Sequence, residues 1–470
     1  MVRQNDGGDM AEDRADFEER EDEDFSLDSD VVDKIRAALE VEDAEQLIAL
    51  IAPLHAADVA DLLEQLRSGE RRVLLRLWGG EMDGEILSEI DESIREEVLD
   101  ALPKHVLAEA VRELESDDVV DLIEDLEEHQ QEQILGALED SDRAAVEQSL
   151  AYPEYSAGRL MQREVVSAPE FWTVGQMIDF LRAEEWLPDQ FYHVILVDPG
   201  HHPVAYVTLG KLLASKRDVM LKDLAEDSFR TISAFQEEGD VAYAFNQYHL
   251  ISAPVVDDDD RLVGVITIDD AMAVLDEEHE EDMLLLAGVG EESSVSDGVW
   301  ETIKSRTPWL LVNLASANLS AWVISWFSGT ISAIVALAAL MPIVASMGGN
   351  AGTQSLAVAV RALATRNLTE SNARSVVARE ATVGLINGVF FALIMGVVGF
   401  VAYDSWALGA VLGAAMVINL IIAALAGVLV PLTLERAGLD PALASGTFVT
   451  TMTDIVGFMA FLGLATMVLM

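Results

Sequence analysis

The sequence predicts a multi-domain protein: an α-helical repeat domain, a duplicated α/β module, and an all-α membrane domain of five transmembrane helices. Three observations predict it. Leucines recur at helical spacing early in the chain, short β-type runs alternate with helical ones in the middle, and five apolar segments fill the last third. Charge divides the chain at the same place. Of 83 acids and 29 bases, seven of each lie from Glu301 onward, so the whole formal charge of −54 sits in the first 300 residues. A surface of that sign repels nucleic acid and anionic lipid, so no nucleic-acid partner is expected.

The acid excess is spread along the N-terminal part and fits hydration of a protein surface in a salty cytoplasm, as does the use of six lysines against 23 arginines. Divalent-cation sensing by particular carboxylates is the second reading, and both can hold. The chain has no cysteine, which excludes disulfides, thiolate metal sites and cysteine nucleophiles. Its acidic start has neither a basic n-region nor an apolar run, so no cleaved signal peptide is expected. No nucleophile–base set or zinc spacing is visible, and no enzyme activity is expected.

Residues 1–29 are polar and acidic and read as a disordered tail. Residues 30–151 read as short amphipathic helices with a weak internal repeat. Ala57–Leu66 aligns with Asp117–Leu126, and Leu102–Val111 is an intermediate copy. Stacked helical hairpins would bury the shared leucines.

Residues 152–269 carry the order strand, turn, strand, helix twice. The first copy is Phe191–Val197, Pro203–Thr208 and a helix from Leu209; the second is Ser252–Val256, an Asp257–Asp260 turn, Arg261–Thr267 and a helix from Ile268. The second copy, Ala253-Pro-Val-Val-Asp257 with Leu262-Val-Gly-Val-Ile-Thr267-x-x-Asp270, closely resembles a CBS domain, and the two copies would make one CBS tandem. In that pattern Thr267 and Asp270 can hold the ribose and phosphate of an adenine nucleotide. The first copy has Thr208 and Lys211 instead, so ATP is a candidate ligand rather than a required one. Residues 270–305 begin with an acidic linker helix through Glu277–Asp282, followed by a glycine- and serine-rich break.

Residues 306–470 hold the apolar segments, at 308–327, 331–362, 379–403, 405–434 and 442–470. Each can cover a hydrocarbon core of about 30 Å, which needs about 20 helical residues. The second is expected to break at Gly348-Gly349. Lys304 and Arg306 precede the first span, Arg361, Arg366, Arg374 and Arg379 separate the second from the third, and Arg436 separates the fourth from the fifth. The loops at Ser328-Gly329 and Asp404 carry no base. The positive-inside rule then puts the N-terminal region in the cytoplasm and the C-terminus outside a multi-pass cell-membrane protein.

Two polar features interrupt this apolar region. One is Pro342-Ile-Val-Ala-Ser-Met-Gly348-Gly349-Asn350-Ala-Gly352-Thr-Gln354; the other is Asp454 in Thr450-Thr-Met-Thr-Asp-Ile-Val-Gly457. Amides in hydrocarbon need polar neighbours or a water-filled cavity. An intramembrane acid reads by default as part of an ion or substrate pathway. Asp454 has no candidate partner, since no lysine, arginine or histidine lies within an apolar core. Plain helix packing explains Gly384-x3-Gly388 and Gly409-x3-Gly413. Asn313, Asn318, Asn387 and Asn419 stand open between interhelical hydrogen bonds and pore lining.

The whole order, with the 342–354 motif, Arg361-Ala-Leu-Ala364 and Thr453-Asp-Ile-Val-Gly457, is similar to the MgtE family of magnesium channels over residues 30–470. The resemblance implies a homodimer whose spans form one pore for hydrated Mg²⁺, closed by the cytosolic domains when internal Mg²⁺ is plentiful. It carries over Asp454 as the principal ion residue, with Asn350 beside it. It also carries over Asp117 and Asp121 on one helix face, and Asp270, Glu278, Glu281 and Asp282 on the linker helix, as Mg²⁺-sensing acids. His249 stands where the family can have an acid. Two other functions compete: a cation-coupled secondary transporter of Co²⁺, Ni²⁺ or Mn²⁺, and a CBS-type nucleotide sensor anchored in the membrane.

Overall fold

The computed structural model describes residue 27 and residues 29–470, except 79, 81, 125, 127, 185, 189, 227–228, 291–292, 294–297 and 444–445. The expected disordered tail lies almost wholly outside the described residues. The chain divides into two compact units, residues 1–274 and 275–470.

The first unit opens with helices α1 (Ser29–Glu40), α2 (Ala44–Ile51), α3 (Ala56–Gln65), α4 (Ser68–Trp78), α5 (Gly84–Ser88), α6 (Glu92–Ala101), α7 (Lys104–Ala110), α8 (Ser116–Glu124), α9 (Glu128–Leu135) and α10 (Asp140–Ser149). The internal repeat is an apolar stripe. Val59, Ala60, Leu62 and Leu63 in α3 and Val119, Val120, Leu122 and Ile123 in α8 occupy equivalent positions, and all eight are buried in one core. Spacing of three and four residues puts each set on one helix face. Polar caps start several of these helices; Asp43, for instance, accepts from the Gln46 amide at 3.1 Å.

The α/β part follows as α11 (Ala157–Leu160), β1 (Ser167–Pro169), α12 (Val174–Ala183), β2 (His193–Val197), β3 (Pro203–Thr208), α13 (Leu209–Ala214), β4 (Ile232–Ser233), α14 (Glu238–Tyr248), β5 (Ser252–Val256), β6 (Leu262–Thr267) and α15 (Ile268–Ala287). Two three-stranded sheets have one topology: β1 runs parallel to β2 and β3 antiparallel to it, and β4, β5 and β6 repeat this. The first copy, looser in sequence, thus folds like the second. His249 ends α14 in the left-handed conformation with φ of 53°, so its place is that of a helix cap.

The second unit continues α15 and adds α16 (Val299–Ser325), α17 (Ser328–Ala333), α18 (Ala336–Ala364), α19 (Ala373–Tyr403), α20 (Trp406–Arg436) and α21 (Gly446–Leu469). By length and composition α19, α20 and α21 are apolar enough to cross a membrane. The other two expected spans are also long helices, of 27 and 29 residues. Asn313 and Asn318 dilute the apolarity of α16, and the glycines and amides of the 342–354 motif dilute that of α18.

Two expectations about the second span need correction. The segment 331–362 is split near its start, between α17 and α18, and it is not broken at Gly348-Gly349. The α18 helix runs through both glycines and Pro342. A proline removes one ladder bond, while glycines that pack against neighbouring helices leave the ladder intact. Elsewhere glycines mark the crossing of α19 and α20. A Cβ at Gly384 would stand 2.7 Å from Leu420 O, one at Gly388 would stand 2.9 Å from Val417 Cα, and one at Gly413 would stand 3.1 Å from Ala392 O. Those two glycine pairs are packing surfaces.

Candidate functional site

Three acid-bearing places emerge, one in the first unit and two in the second. In the first, α8 begins at buried Ser116, whose hydroxyl donates to Glu164 at 2.7 Å and accepts from the Arg163 amide at 2.8 Å. Those bonds fix the helix start, which puts Asp117 and Asp118 in its first turn. Asp270 lies in the first turn of α15, where its Oδ2 accepts from Thr267 Oγ1 at 2.6 Å. Burial, with the Asp270 charge next, pushes the Asp117 carboxyl well above its usual range. The same two causes raise Asp118 to about 7. Burial raises Asp270 to about 6, against the stabilising Thr267 bonds and with the charge of Asp269 adding to it.

Asp121 belongs to this neighbourhood but is differently engaged. Its carboxylate accepts from Arg95 Nη2 at 2.9 Å and its carbonyl from Arg95 Nη1 at 2.8 Å. Asp118 was not among the acids carried over by the family resemblance; the adjacent acid in a helix's first turn was the available signal. Thr267 and Asp270 bond each other, and Thr267 lines a cavity of about 20 Å³ with Gln162, His193 and Ser252 among its walls. That is room for about one water.

The second place is on α15 within the second unit. Burial raises Asp282 to about 6, and the charges of Asp440 and Glu278 add to the shift. Asp440 precedes a 3₁₀ turn at Pro441–Leu443 and accepts from the Ala442 amide at 2.7 Å. It too was missed, though it lies in the base-bearing loop expected on the cytoplasmic side. Glu278 and Glu281 are exposed on α15. Among the described residues, no three acid or histidine side chains are gathered as a ready coordination set.

The third place is the crossing of α18, α20 and α21. Asp454 on α21 is half-buried, and its Oδ1 is buried without a hydrogen-bond partner. On α18 the motif divides between two faces. Gly348, Gly349 and Gly352 are buried, and a Cβ at Gly352 would stand 2.5 Å from Val449 Cγ1 on α21. Pro342, Asn350 and Gln354 are exposed, and Asn350 Nδ2 reaches only Ser346 Oγ at 3.5 Å. The carbonyl of Gly349 accepts from Thr353 Oγ1 at 3.0 Å. Of the four open asparagines, Asn419 is fully buried and bonds across helices to Val344 O, whereas Asn318 bonds within its own helix to Leu314 O. Glu380, near the start of α19, is largely buried and accepts from Ser355 Oγ at 3.3 Å.

Comparison with known proteins follows the same order. Family models described as a divalent cation transporter (MgtE), the MgtE intracellular N domain and a CBS domain match residues 341–464, 54–155 and 216–277. The magnesium transporter MgtE of Enterococcus faecalis is 33% identical over 322 residues, covering 68% of this chain and 71% of the relative. That of Thermus thermophilus is 29% identical over 441 residues, covering 93% and 98%. Among solved structures, the cytosolic domain of the Mg²⁺ channel MgtE in complex with ATP aligns with a TM-score of 0.48 at 27% identity, over 52% of this chain and 99% of that one. The soluble part of a magnesium transporter aligns at 0.46 and 23%, over 53% and 98%.

Proposed function

The chain belongs to the MgtE family of magnesium transporters, and we propose on that premise that it is a Mg²⁺-selective channel of the cell membrane, gated by cytosolic Mg²⁺. One observation carries the ion path: a carboxylate with an unpartnered buried oxygen, Asp454, on a helix packed against the glycine-rich α18. No base in the span cores neutralises it. A hydrated divalent ion needs negative charge where water is scarce, and a few oxygens suffice because Mg²⁺ sheds its waters reluctantly. The membrane potential supplies roughly 4.6 kcal/mol per 100 mV for a divalent ion, so no ATP hydrolysis is needed.

We propose a homodimer, because one carboxylate per chain is too few for such an ion and two-fold pairing brings a second. Asn350, exposed on α18, would bond the ion's water shell. Closure would use Asp117, Asp118, Asp121 and Asp270 in one acid set and Glu278, Glu281, Asp282 and Asp440 in the other. At low Mg²⁺ these acids repel one another. A bound divalent cation supplies compensating charge there, which favours the closed state of the pore. The N-terminal region would be cytoplasmic and the C-terminus outside. ATP would be a secondary ligand, held by Thr267 and Asp270.

Growth of a Mg²⁺-uptake-deficient cell on low Mg²⁺ tests the assignment. The wild-type chain should restore growth, and Asp454→Asn should not, at equal membrane abundance. Full rescue by Asp454→Asn would sink it. A patch current independent of Na⁺ and H⁺ gradients separates a channel from a coupled transporter.

A further inference from the structure

We propose that Asn419 is the positioning residue of the ion path, and that Gly348 and Gly457 are glycines because Asn419 occupies the space their side chains would need. The inference rests on the assignment of Asn350 and Asp454 to that path. Asn419 stands in the middle of α20 and is 0% exposed. Its Nδ2 donates to Val344 O on α18 at 2.8 Å. Its Oδ1 is buried and has no partner. A Cβ built on Gly348 would overlap Asn419 Nδ2 and lie 2.9 Å from its Cγ. One built on Gly457 would lie 2.9 Å from Cγ, Nδ2 and Oδ1 alike. One side chain therefore sits between two glycines of two different helices.

The consequence follows from sequence spacing. Gly348 is two residues before Asn350, and Gly457 is three residues after Asp454. A single side chain thus fixes the turn of α18 that carries the amide and the turn of α21 that carries the carboxylate. Leucine has the same branched outline in larger methyl groups and buries no unsatisfied acceptor, which is a costly thing to keep. What leucine lacks is the donor for Val344 O. The function of the asparagine is then the cross-helix bond, and the glycines serve the asparagine rather than the ion. Asn419 itself need not touch the ion.

The test uses the full chain in liposomes and in detergent. The variants are Asn419→Leu, Asn419→Ala, Gly348→Ala, Gly457→Ala and the two alanine pairs, Asn419→Ala with either glycine change. Mg²⁺ flux, the Mg²⁺/Co²⁺ flux ratio and the thermal midpoint are measured for each. Asn419→Leu should fold yet lose flux by about 10- to 100-fold, the scale of a misplacement near an ångström, with an altered Mg²⁺/Co²⁺ ratio that a purely structural role would leave unmoved. Gly348→Ala and Gly457→Ala should lower the midpoint in the wild-type background and have little effect in the Asn419→Ala background. Wild-type flux and ratio in Asn419→Leu would overturn the proposal. So would glycine changes that are equally harmful with or without the asparagine, and this second comparison decides the matter if Asn419→Leu does not fold. Failure of the ion-path reading is separate, since it shows as transport by Asp454→Asn while the size complementarity at 348, 419 and 457 still holds.

Discussion

Asp118, Asp270 and Asp282 have carboxyls raised from 3.8 to about 7, 6 and 6, with burial the leading cause in each. The sign of the consequence is fixed by linkage. A folded chain holding these acids keeps protons that the unfolded chain has already released. Both states are protonated below the unfolded value of 3.8, so no penalty exists there. The penalty grows as pH rises through the window from 3.8 to about 7 and is complete above it. The thermal midpoint of the protein, followed by circular dichroism without Mg²⁺, should therefore fall between about pH 4 and about pH 7. Asp118→Asn should flatten that fall, and added Mg²⁺ should offset it. A midpoint that climbs with pH would refute the acid cluster. At this scale the sequence pointed to Asp117, Asp270 and Asp282 through family resemblance. That Asp118 stands near Asp270 and Asp440 near Asp282 was not legible, because such proximity arises only when distant segments meet.

At the scale of the element, glycine decides how closely helices approach. Val417 Cα and Leu420 O on α20 would collide with side chains at Gly388 and Gly384 of α19. Gly388→Val should therefore destabilise the membrane region by about 1–3 kcal/mol, as overpacking does. Gly463, with nothing within 4 Å of a built Cβ, is the control, and Gly463→Val should leave the detergent melting curve unchanged. Equal effects at the two positions would count against close packing as the reason for Gly388. The second span shows why such details escape sequence reading. Glycines in pairs signal either a helix break or a packing surface, and only the neighbours at Asn419 and Thr450 select packing for Gly348 and Gly349.

For the whole molecule, the absence of cysteine makes topology directly measurable. Single cysteines at Gly329, Asp404 and Met470 should react with a membrane-impermeant maleimide in intact cells. Cysteines at Asn367 and Leu439 should react only after lysis. The opposite pattern would invert the proposed orientation. Detergent-purified protein should also have the mass of a dimer. A monomer mass at every concentration, with conduction retained after reconstitution, would contradict a shared pore. The Mg²⁺ response belongs to this scale too. At about 1 M salt the Debye length is about 3 Å, so diffuse acidity is screened, and a surviving Mg²⁺ response must come from particular carboxylates.

By itself the sequence determined the order of the parts, because periodicity, charge and apolar length are local properties written residue by residue. It determined the duplicated strand–strand–helix units, the long apolar helices and the isolation of Asp454 from any base. Tertiary structure alone decided which glycines admit which neighbours, that Arg95 engages Asp121, and that Asp440 stands near Asp282. It also decided that Asn419, one of four equivalent-looking asparagines, joins two helices. The physical reason is the same throughout: contact and desolvation depend on segments far apart in the chain, and no local pattern encodes which of them will meet.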